Sequence, residues 1–212
     1  MKKYVNLFVF VFMIGACFSQ GKAQTKSAVS YKNPVVDIAM PDPTVIKAAD
    51  GYFYVYATES TRNVPIMKSK DLVEWTYCNT AFTNKTRPRF EPKAGIWAPD
   101  INYINGKYVL YYAMSVWGGE QTCGIGVATA NSPQGPFTDH GKMFRSNEIG
   151  VQNSIDPSLL QYEGRNYLVW GSFRGIYVIE LTADGLSIMP GAKKKRIAGT
   201  AFEAVYIHKH GD

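Results

Sequence analysis

The sequence predicts an all-β protein built from repeated four-stranded units, the arrangement of a β-propeller, and three observations support this fold class. Helical periodicity is nearly absent after residue 30. Short runs rich in Tyr, Val and Ile alternate with Gly, Pro and Asn, which is typical of short strands separated by turns. A unit of an acidic residue, a strand, a glycine-containing turn and an aromatic strand recurs three times. Such a recurring unit, with four strands in each copy, is the signature of propeller blades.

The first half of each unit predicts a hairpin. An acidic residue opens the first strand, a turn containing glycine follows, and a second, aromatic strand returns. Glycine suits these turns because it readily adopts a positive φ. The paired strands are predicted at 42–46 and 53–56, at 100–104 and 108–112, and at 156–160 and 167–170.

Two further strands complete each unit. They are predicted at 64–68 and 73–77, at 124–130 and 136–139, and at 176–181 and 195–198, the last being the weakest run. A fourth unit begins at Glu203, with its first strand at 204–208 and a turn at 210–212. A propeller that ended in a turn would leave strand edges unpaired. We therefore expect a chain truncated to three blades plus the first strand of a fourth.

Residues 1–23 have the features of a secretory signal peptide. Two lysines form a basic start, and the apolar run that follows is too short to span a membrane. The signal ends either after Ala23 or, as a lipoprotein signal, before Cys17, the residue that would carry the lipid. Both alternatives predict export to the periplasm, the cell surface or the extracellular medium. Membrane contact is expected only through such a lipid anchor.

The formal net charge of +6 does not indicate nucleic-acid binding. Three of the 23 Lys and Arg residues precede Ala23, which leaves 20 basic against 17 acidic residues. The basic run at 193–196 predicts a solvated surface segment, and no module typical of nucleic-acid recognition is present in the sequence. Nucleic acid is therefore not an expected partner.

The cysteines outside the signal are Cys78 and Cys123. Export permits a disulfide, and the sequence leaves their pairing open. Neither the cysteines nor the three histidines have the spacing of metal ligands. The sequence therefore predicts no metal site.

Four acidic residues mark the predicted units: Asp42, Asp100, Asp156 and Glu203. The first strand of each blade lines the axis of a propeller, so these carboxyls are expected to converge on one opening. Glycoside hydrolysis needs a protonated carboxyl for the leaving oxygen and an ionised one as base or nucleophile, and a third carboxylate raises the pKa of the acid. The alternative is that Asp-Pro recurs because it forms a good turn. Spacing alone does not separate these interpretations.

Four segments resemble, in order, the motifs of glycoside hydrolase family 43. They are residues 40–43 (MPDP), 96–100 (IWAPD), 153–158 (NSIDPS) and 201–207 (AFEAVYI). The resemblance runs from about residue 33 to the end, so 33–212 is interpreted as a partial glycosidase propeller.

This resemblance implies a five-bladed propeller that hydrolyses glycosides with inversion of configuration. Asp42 matches the general base, Asp156 the acid that tunes the pKa and orients, and Glu203 the general acid. Asp100 matches no settled catalytic residue and is interpreted as a structural or substrate-orienting group. Ala-Val follows Glu203 where many members of the family have Gly-Pro, which is a departure from the pattern.

Five residues are expected to contact substrate: Trp97, Asp100, Trp117, Asn153 and Ser154. Trp97 lies in a matched motif near the axis, which favours stacking on a sugar over packing in the core. Trp117 lies in a loop after an inner strand and fits a pocket wall or a core plug equally well.

The segments 153–158 and 171–173 most resemble the endo-acting arabinan 1,5-α-L-arabinosidases, so the expected function is hydrolysis of glycosidic bonds in arabinan. The alternatives are an exo-acting β-xylosidase or α-L-arabinofuranosidase, and a non-catalytic glycan-binding propeller. A protein-interaction propeller fits least well. No cofactor is expected to be required, and a structural calcium ion and a monomeric state are expectations for a complete protein. The fragment itself is expected to be a poor catalyst.

Overall fold

The computed structural model describes residues 30–208, which form three antiparallel sheets of four strands each. Each sheet is a meander in chain order. Sheet 1 contains β1 (Thr44–Lys47), β2 (Phe53–Tyr56), β3 (Pro65–Ser69) and β4 (Trp75–Thr80). Sheet 2 contains β5 (Gly95–Ile104), β6 (Lys107–Ser115), β7 (Gly124–Ala130) and β8 (Thr138–Arg145). Sheet 3 contains β9 (Ser158–Tyr162), β10 (Arg165–Trp170), β11 (Ile176–Leu181) and β12 (Lys195–Ala198).

The all-β class and the four-stranded repeat are thereby confirmed. One short helix, α1 (Ser146–Ile149), interrupts the strands between β8 and β9. No helix in the described range is long and apolar enough to cross a membrane. The predicted signal at 1–23 and the predicted turn at 210–212 lie outside the described residues.

The strand predicted at 204–208 is wrong. Glu203 forms a single isolated bridge with Ser172, and the five residues after it have no strand conformation. A strand requires a ladder of hydrogen bonds to a neighbour. Within residues 30–208 this segment has no such partner, so its path is irregular where it passes the loop after β10.

Two hairpins owe their geometry to two-residue turns with positive φ at both positions. Asn105 and Gly106 have φ values of 48° and 82° between the paired residues Ile104 and Lys107. Glu163 and Gly164 occupy the same positions between β9 and β10, with φ values of 49° and 73°. This turn type matches the right-handed twist of the strands it joins, and Asn-Gly is its preferred sequence.

The core consists of two main clusters, and β6 contributes to both of them. Tyr108, Leu110 and Tyr112 lie in the cluster that includes the buried residues of sheet 1. Val109 and Tyr111 lie in the cluster that includes the buried residues of sheet 3. Because successive side chains of a strand point to opposite faces, the unbroken apolar run of β6 is explained by burial on both faces. Sheet 2 is therefore the central sheet of the three.

Candidate active site

Loops at one end of the three sheets enclose a cavity of about 620 Å³. The chain segments that line it precede β1 and β9 or follow β2, β6, β10 and β12, and β5 contributes Trp97. Six of the eight residues that the sequence predicts as catalytic or substrate-binding line this cavity: Asp42, Trp97, Trp117, Asn153, Asp156 and Glu203. Asp100 and Ser154 do not.

Asp42 and Asp156 reach the cavity from equivalent backbone positions. Each lies two residues before the first strand of its sheet, precedes a proline, and has a left-handed backbone, with φ values of 49° and 57°. In sheet 2 the residue with this conformation before a proline is Ala98, with φ of 40°. Asp100 therefore lies two residues further along β5 and is not the counterpart of Asp42, as the repeat had suggested.

Asp100 is buried within the strands and faces a different cavity. Its Oδ2 accepts hydrogen bonds from the Leu159 backbone N–H and from Asn102 Nδ2, both at 2.7 Å. Burial raises the pKa of this carboxyl to about 6, although those hydrogen bonds oppose the shift. It lines a cavity of about 290 Å³ between the first strands of the sheets. The hydrogen bond from the Leu159 N–H connects β9 to β5, so Asp100 has a structural role in joining these two strands.

Ser154 does not fit the expected substrate contact. Its side chain is completely buried, its hydroxyl donates to the Val151 carbonyl at 2.7 Å, and it accepts from Trp170 Nε1 at 3.1 Å. Its backbone N–H donates to Ser146 Oγ at 2.9 Å. With these bonds Ser154 holds the loop before β9 in place.

Thr58 is a residue of the cavity that the sequence analysis missed. Its Oγ1 accepts the Ala98 backbone N–H at 2.6 Å and lies 2.6 Å from Asp42 Oδ2. The hydroxyl donates to Asp42 Oδ2 while it accepts the Ala98 N–H, so it links Asp42 to the start of β5. No motif marks Thr58 in the sequence, because its role arises only where the end of β2 meets β5.

Asp156 lies near the other two carboxyls. Burial and the nearby charges of Glu203 and Asp42 raise its pKa to about 7, and a hydrogen bond from the Ala204 backbone opposes the shift. A carboxyl in this position holds a proton for much of the time near neutral pH. Three carboxyls thus share one cavity, and the pKa of one of them is raised, which is typical of sites that perform acid–base chemistry.

Glu203 enters the cavity from the irregular segment after β12. Its Oε2 accepts a hydrogen bond from Ser172 Oγ at 3.1 Å. The N–H of Phe173, which follows Ser172, donates to the Phe202 carbonyl at 2.9 Å. The loop after β10 therefore holds the segment around Glu203 through two hydrogen bonds. Glu203 itself is exposed, which leaves its carboxyl accessible to a bound molecule.

Aromatic rings form the wall of the cavity. Trp97 and Trp117 have ring centroids 5.5 Å apart at an angle of 52°. Trp117 is 93% exposed, which excludes the core plug and leaves the pocket wall. Trp97 instead packs against the small buried cluster that contains Ile155. Exposed ring faces beside carboxyls suit the apolar face of a sugar.

Polar contacts join three loops at the rim of the cavity, the loops after β6 and β10 and the loop before β9. Arg174 pairs with Glu120 at 2.9 Å, and Asn153 Nδ2 donates to the Ser172 carbonyl at 3.0 Å. Asn153 therefore lines the cavity and also connects the loop before β9 with the loop after β10. These contacts fix the shape of the opening near Glu203.

Neither a metal cluster nor a disulfide is present in the described part of the chain. No group of three or more His, Cys, Asp or Glu side chains there could hold a metal ion. Cys78 and Cys123 are both free, and they lie at different hydrophobic clusters.

Converging carboxyls beneath aromatic rings, on an all-β scaffold, define a candidate carbohydrate-active site. The model of the glycosyl hydrolases family 43 matches residues 31–212. The chain belongs to this family, which confirms the resemblance seen in its motifs.

Individual relatives are arabinan-degrading enzymes. The chain is 38% identical over 140 residues to the extracellular endo-α-(1→5)-L-arabinanase 1 of Bacillus subtilis, covering 62% of this chain and 43% of that protein. It is 32% identical over 180 residues to arabinan endo-1,5-α-L-arabinosidase A of Aspergillus niger, covering 81% of this chain and 55% of that protein. The chain thus spans about half the length of the curated relatives that it matches.

Solved structures are similar over most of this chain. The native Bacillus subtilis arabinanase has a TM-score of 0.64 and 32% identity, over 74% of this chain and 56% of that one. An exo-1,5-α-L-arabinanase from a bovine ruminal metagenomic library has a TM-score of 0.70 and 30% identity, over 86% of this chain and 65% of that one.

Proposed function

We propose that this chain belongs to an endo-acting glycoside hydrolase that cleaves arabinan with inversion of configuration. The observation that carries the proposal is the convergence of Asp42, Asp156 and Glu203 in one aromatic-lined cavity. The substrate class is supported by the arabinanases and arabinosidases that the chain resembles.

In the proposed reaction, Asp42 accepts the proton of a water molecule that attacks the anomeric carbon. Glu203 donates a proton to the leaving glycosidic oxygen, so the bond to that oxygen breaks as the new bond to water forms. The Thr58 hydroxyl holds Asp42, and the Ser172 hydroxyl holds Glu203. Asp156 lies near both and orients the sugar or adjusts the protonation of Glu203.

The first test replaces Asp42 with Asn. The amide keeps the shape of the side chain and cannot take the proton of water, so release of reducing sugar from linear arabinan should fall by about 10²-fold or more. Asp37→Asn, at an exposed position outside the cavity, is the matched control. Activity of Asp42→Asn within a few-fold of the parent would show that Asp42 is not the base.

The second test replaces Glu203 with Gln and varies the leaving group. Turnover of arabinan should fall by about 10²-fold or more, while an aryl arabinoside with an acidic phenol should be affected much less, because such a phenol leaves without protonation. Glu74→Gln, at an exposed position between β3 and β4, is the control. An equal loss on both substrates would contradict the general-acid role.

Two assays separate this function from its alternatives. Chain-length analysis of the early products distinguishes internal cleavage of arabinan from release of single sugars by an exo-acting arabinofuranosidase or xylosidase. NMR of the first anomer formed tests inversion. Binding of arabinan without turnover would instead support a glycan-binding propeller.

The propeller and the exported state are part of the same proposal. The three sheets are proposed as blades of a five-bladed propeller, which their sequential meanders and the packing of sheet 2 between two clusters support. A crystal structure of the protein purified from its natural source would count the blades. N-terminal sequencing and mass spectrometry of the same material would test cleavage after Ala23 against lipidation of Cys17.

A further inference from the structure

A second cavity, of about 390 Å³, lies beside the candidate active site. Its wall includes Arg62, Met114 and the segment between β4 and β5. Met114 is the neighbour of Ser115 on β6, and Ser115 lines the catalytic cavity. Arg62 follows Thr58, another residue of the catalytic cavity, by four positions. Both cavities therefore lie where β2 and β6 end, on the same end of the sheets.

The acidic groups at this second cavity are already neutralised. Glu59 pairs with Arg87 at 2.5 Å, and these side chains are only 8% and 7% exposed. Glu91, which lines the cavity, pairs with Arg145. Neither carboxylate is available to balance a further cation.

Arg62, Arg89 and Lys93 leave the cavity with an excess of positive charge. All three are exposed and line the cavity. In the part of the chain that the structure describes, none of them has a carboxylate oxygen within 4.0 Å. The positive charges of these three side chains are therefore not balanced by ion pairs within the described residues.

Asn84 holds the two arginines in place. Arg62 Nε donates to Asn84 Oδ1 at 3.0 Å, and Arg89 Nη2 donates to the Asn84 carbonyl at 2.9 Å. One residue thus anchors both side chains, and each guanidinium keeps other N–H donors free for a ligand. Two anchored guanidinium groups lose less conformational freedom on binding than two mobile ones.

We propose that this cavity binds the carboxylate of an acidic glycan, such as a stretch of uronic acid attached to or lying beside the neutral chain that is cleaved. Guanidinium groups match the planar geometry of a carboxylate. Pro92, which is exposed, gives the cavity an apolar surface for a sugar ring. That the ligand is a glycan rests on the proposed function, whereas the preference for a carboxylate rests on the charges alone.

The test measures binding and requires no turnover. The protein is titrated calorimetrically with oligogalacturonate and with the same oligosaccharide after full methyl esterification, which removes the charge and keeps the sugars. We expect binding of the acid, at least about fivefold weaker binding of the ester, and a further loss of affinity with added salt.

The double variant Arg62→Gln/Arg89→Gln should bind oligogalacturonate about fivefold more weakly. The matched control, Lys193→Gln/Lys194→Gln, removes the same charge from an exposed segment just before β12 and should bind like the parent. Thermal unfolding of each variant shows that it is folded. Absence of binding, equal binding of the ester, or equal losses in both double variants would overturn the proposal. None of these results bears on arabinan cleavage, so the two proposals fail separately.

Discussion

At the scale of single residues, Thr58 shows how a position without a motif controls a candidate catalytic group. Its hydroxyl accepts a hydrogen bond from the Ala98 N–H and donates one to Asp42 Oδ2. Its own backbone N–H donates to the Pro41 carbonyl at 2.9 Å, so it also fixes the chain just before Asp42. We therefore interpret Thr58 as a positioning residue for the base.

Replacing Thr58 with Val should lower kcat about tenfold and change KM by less than about twofold, because the lost charge-assisted hydrogen bond orients Asp42 and does not contact the sugar. The shape of valine is nearly that of threonine, so packing is preserved. Thr58→Ser keeps the hydroxyl and should recover most of the activity. Steady-state kinetics on linear arabinan measure the effect. Equal kcat values for the Val and Ser variants would show that the hydroxyl has no such role.

At the residue scale, the motifs predict which carboxyls share one cavity. Asp42, Asp156 and Glu203 line the same cavity, and their catalytic roles stay predictions. The motifs do not predict the position of Ser154, because a motif does not say which of two adjacent side chains faces inward, and the hydroxyl of Ser154 forms its hydrogen bonds inside the protein.

At the scale of elements, the turns and the alternation of side chains along the strands could be predicted from the sequence. The position of the first strand of sheet 2 relative to the first strands of the other two sheets could not. The extended start of β5 and the irregularity between Trp97 and Asp100 shift that strand relative to β1 and β9. When the repeated units are aligned on their acidic residues, Asp100 is equivalent to Asp42. The backbone conformation shows instead that Ala98 is the residue equivalent to Asp42. The segment after Glu203 was predicted as a strand because strand propensity does not reveal whether a hydrogen-bonding partner exists.

The β9–β10 turn offers a test of local conformation. Glu163 is exposed and has φ of 49°, a conformation that Asn tolerates better than Glu. Glu163→Asn should therefore raise the free energy of unfolding by about 0.5–1 kcal/mol, measured by urea denaturation. Glu163→Gln removes the charge without this conformational advantage and should have little effect. A gain of equal size for Gln would attribute the effect to charge instead.

At the scale of the whole molecule, two buried carboxyls link stability to pH. The pKa of Asp100 is raised to about 6 and that of Asp156 to about 7, and burial is the main cause for both. In the unfolded chain both would titrate near the ordinary value of 3.8. Between these values the folded state binds more protons than the unfolded state, so stability falls as pH rises from about 4 to 7. The acids whose pKa is lowered, such as Asp50 and Asp184, act in the opposite sense and only at lower pH.

Replacing Asp100 with Asn should therefore reduce the loss of stability between pH 4.5 and pH 7.5. The amide oxygen can still accept the Leu159 N–H that ties β5 to β9, but the side chain no longer has to ionise inside the core. The shift of Asp100 corresponds to at most about 3 kcal/mol, and solvent relaxation makes the observed difference smaller. Urea denaturation of the parent and of Asp100→Asn at both pH values measures it, with Asp37→Asn as the exposed control. The remaining pH dependence of Asp100→Asn should in turn decrease when Asp156→Asn is added, because Asp156 contributes with the same sign. If the parent and Asp100→Asn lose equal stability over this range, Asp100 is ionised in the folded protein and its burial does not set the pH response of the three-sheet assembly.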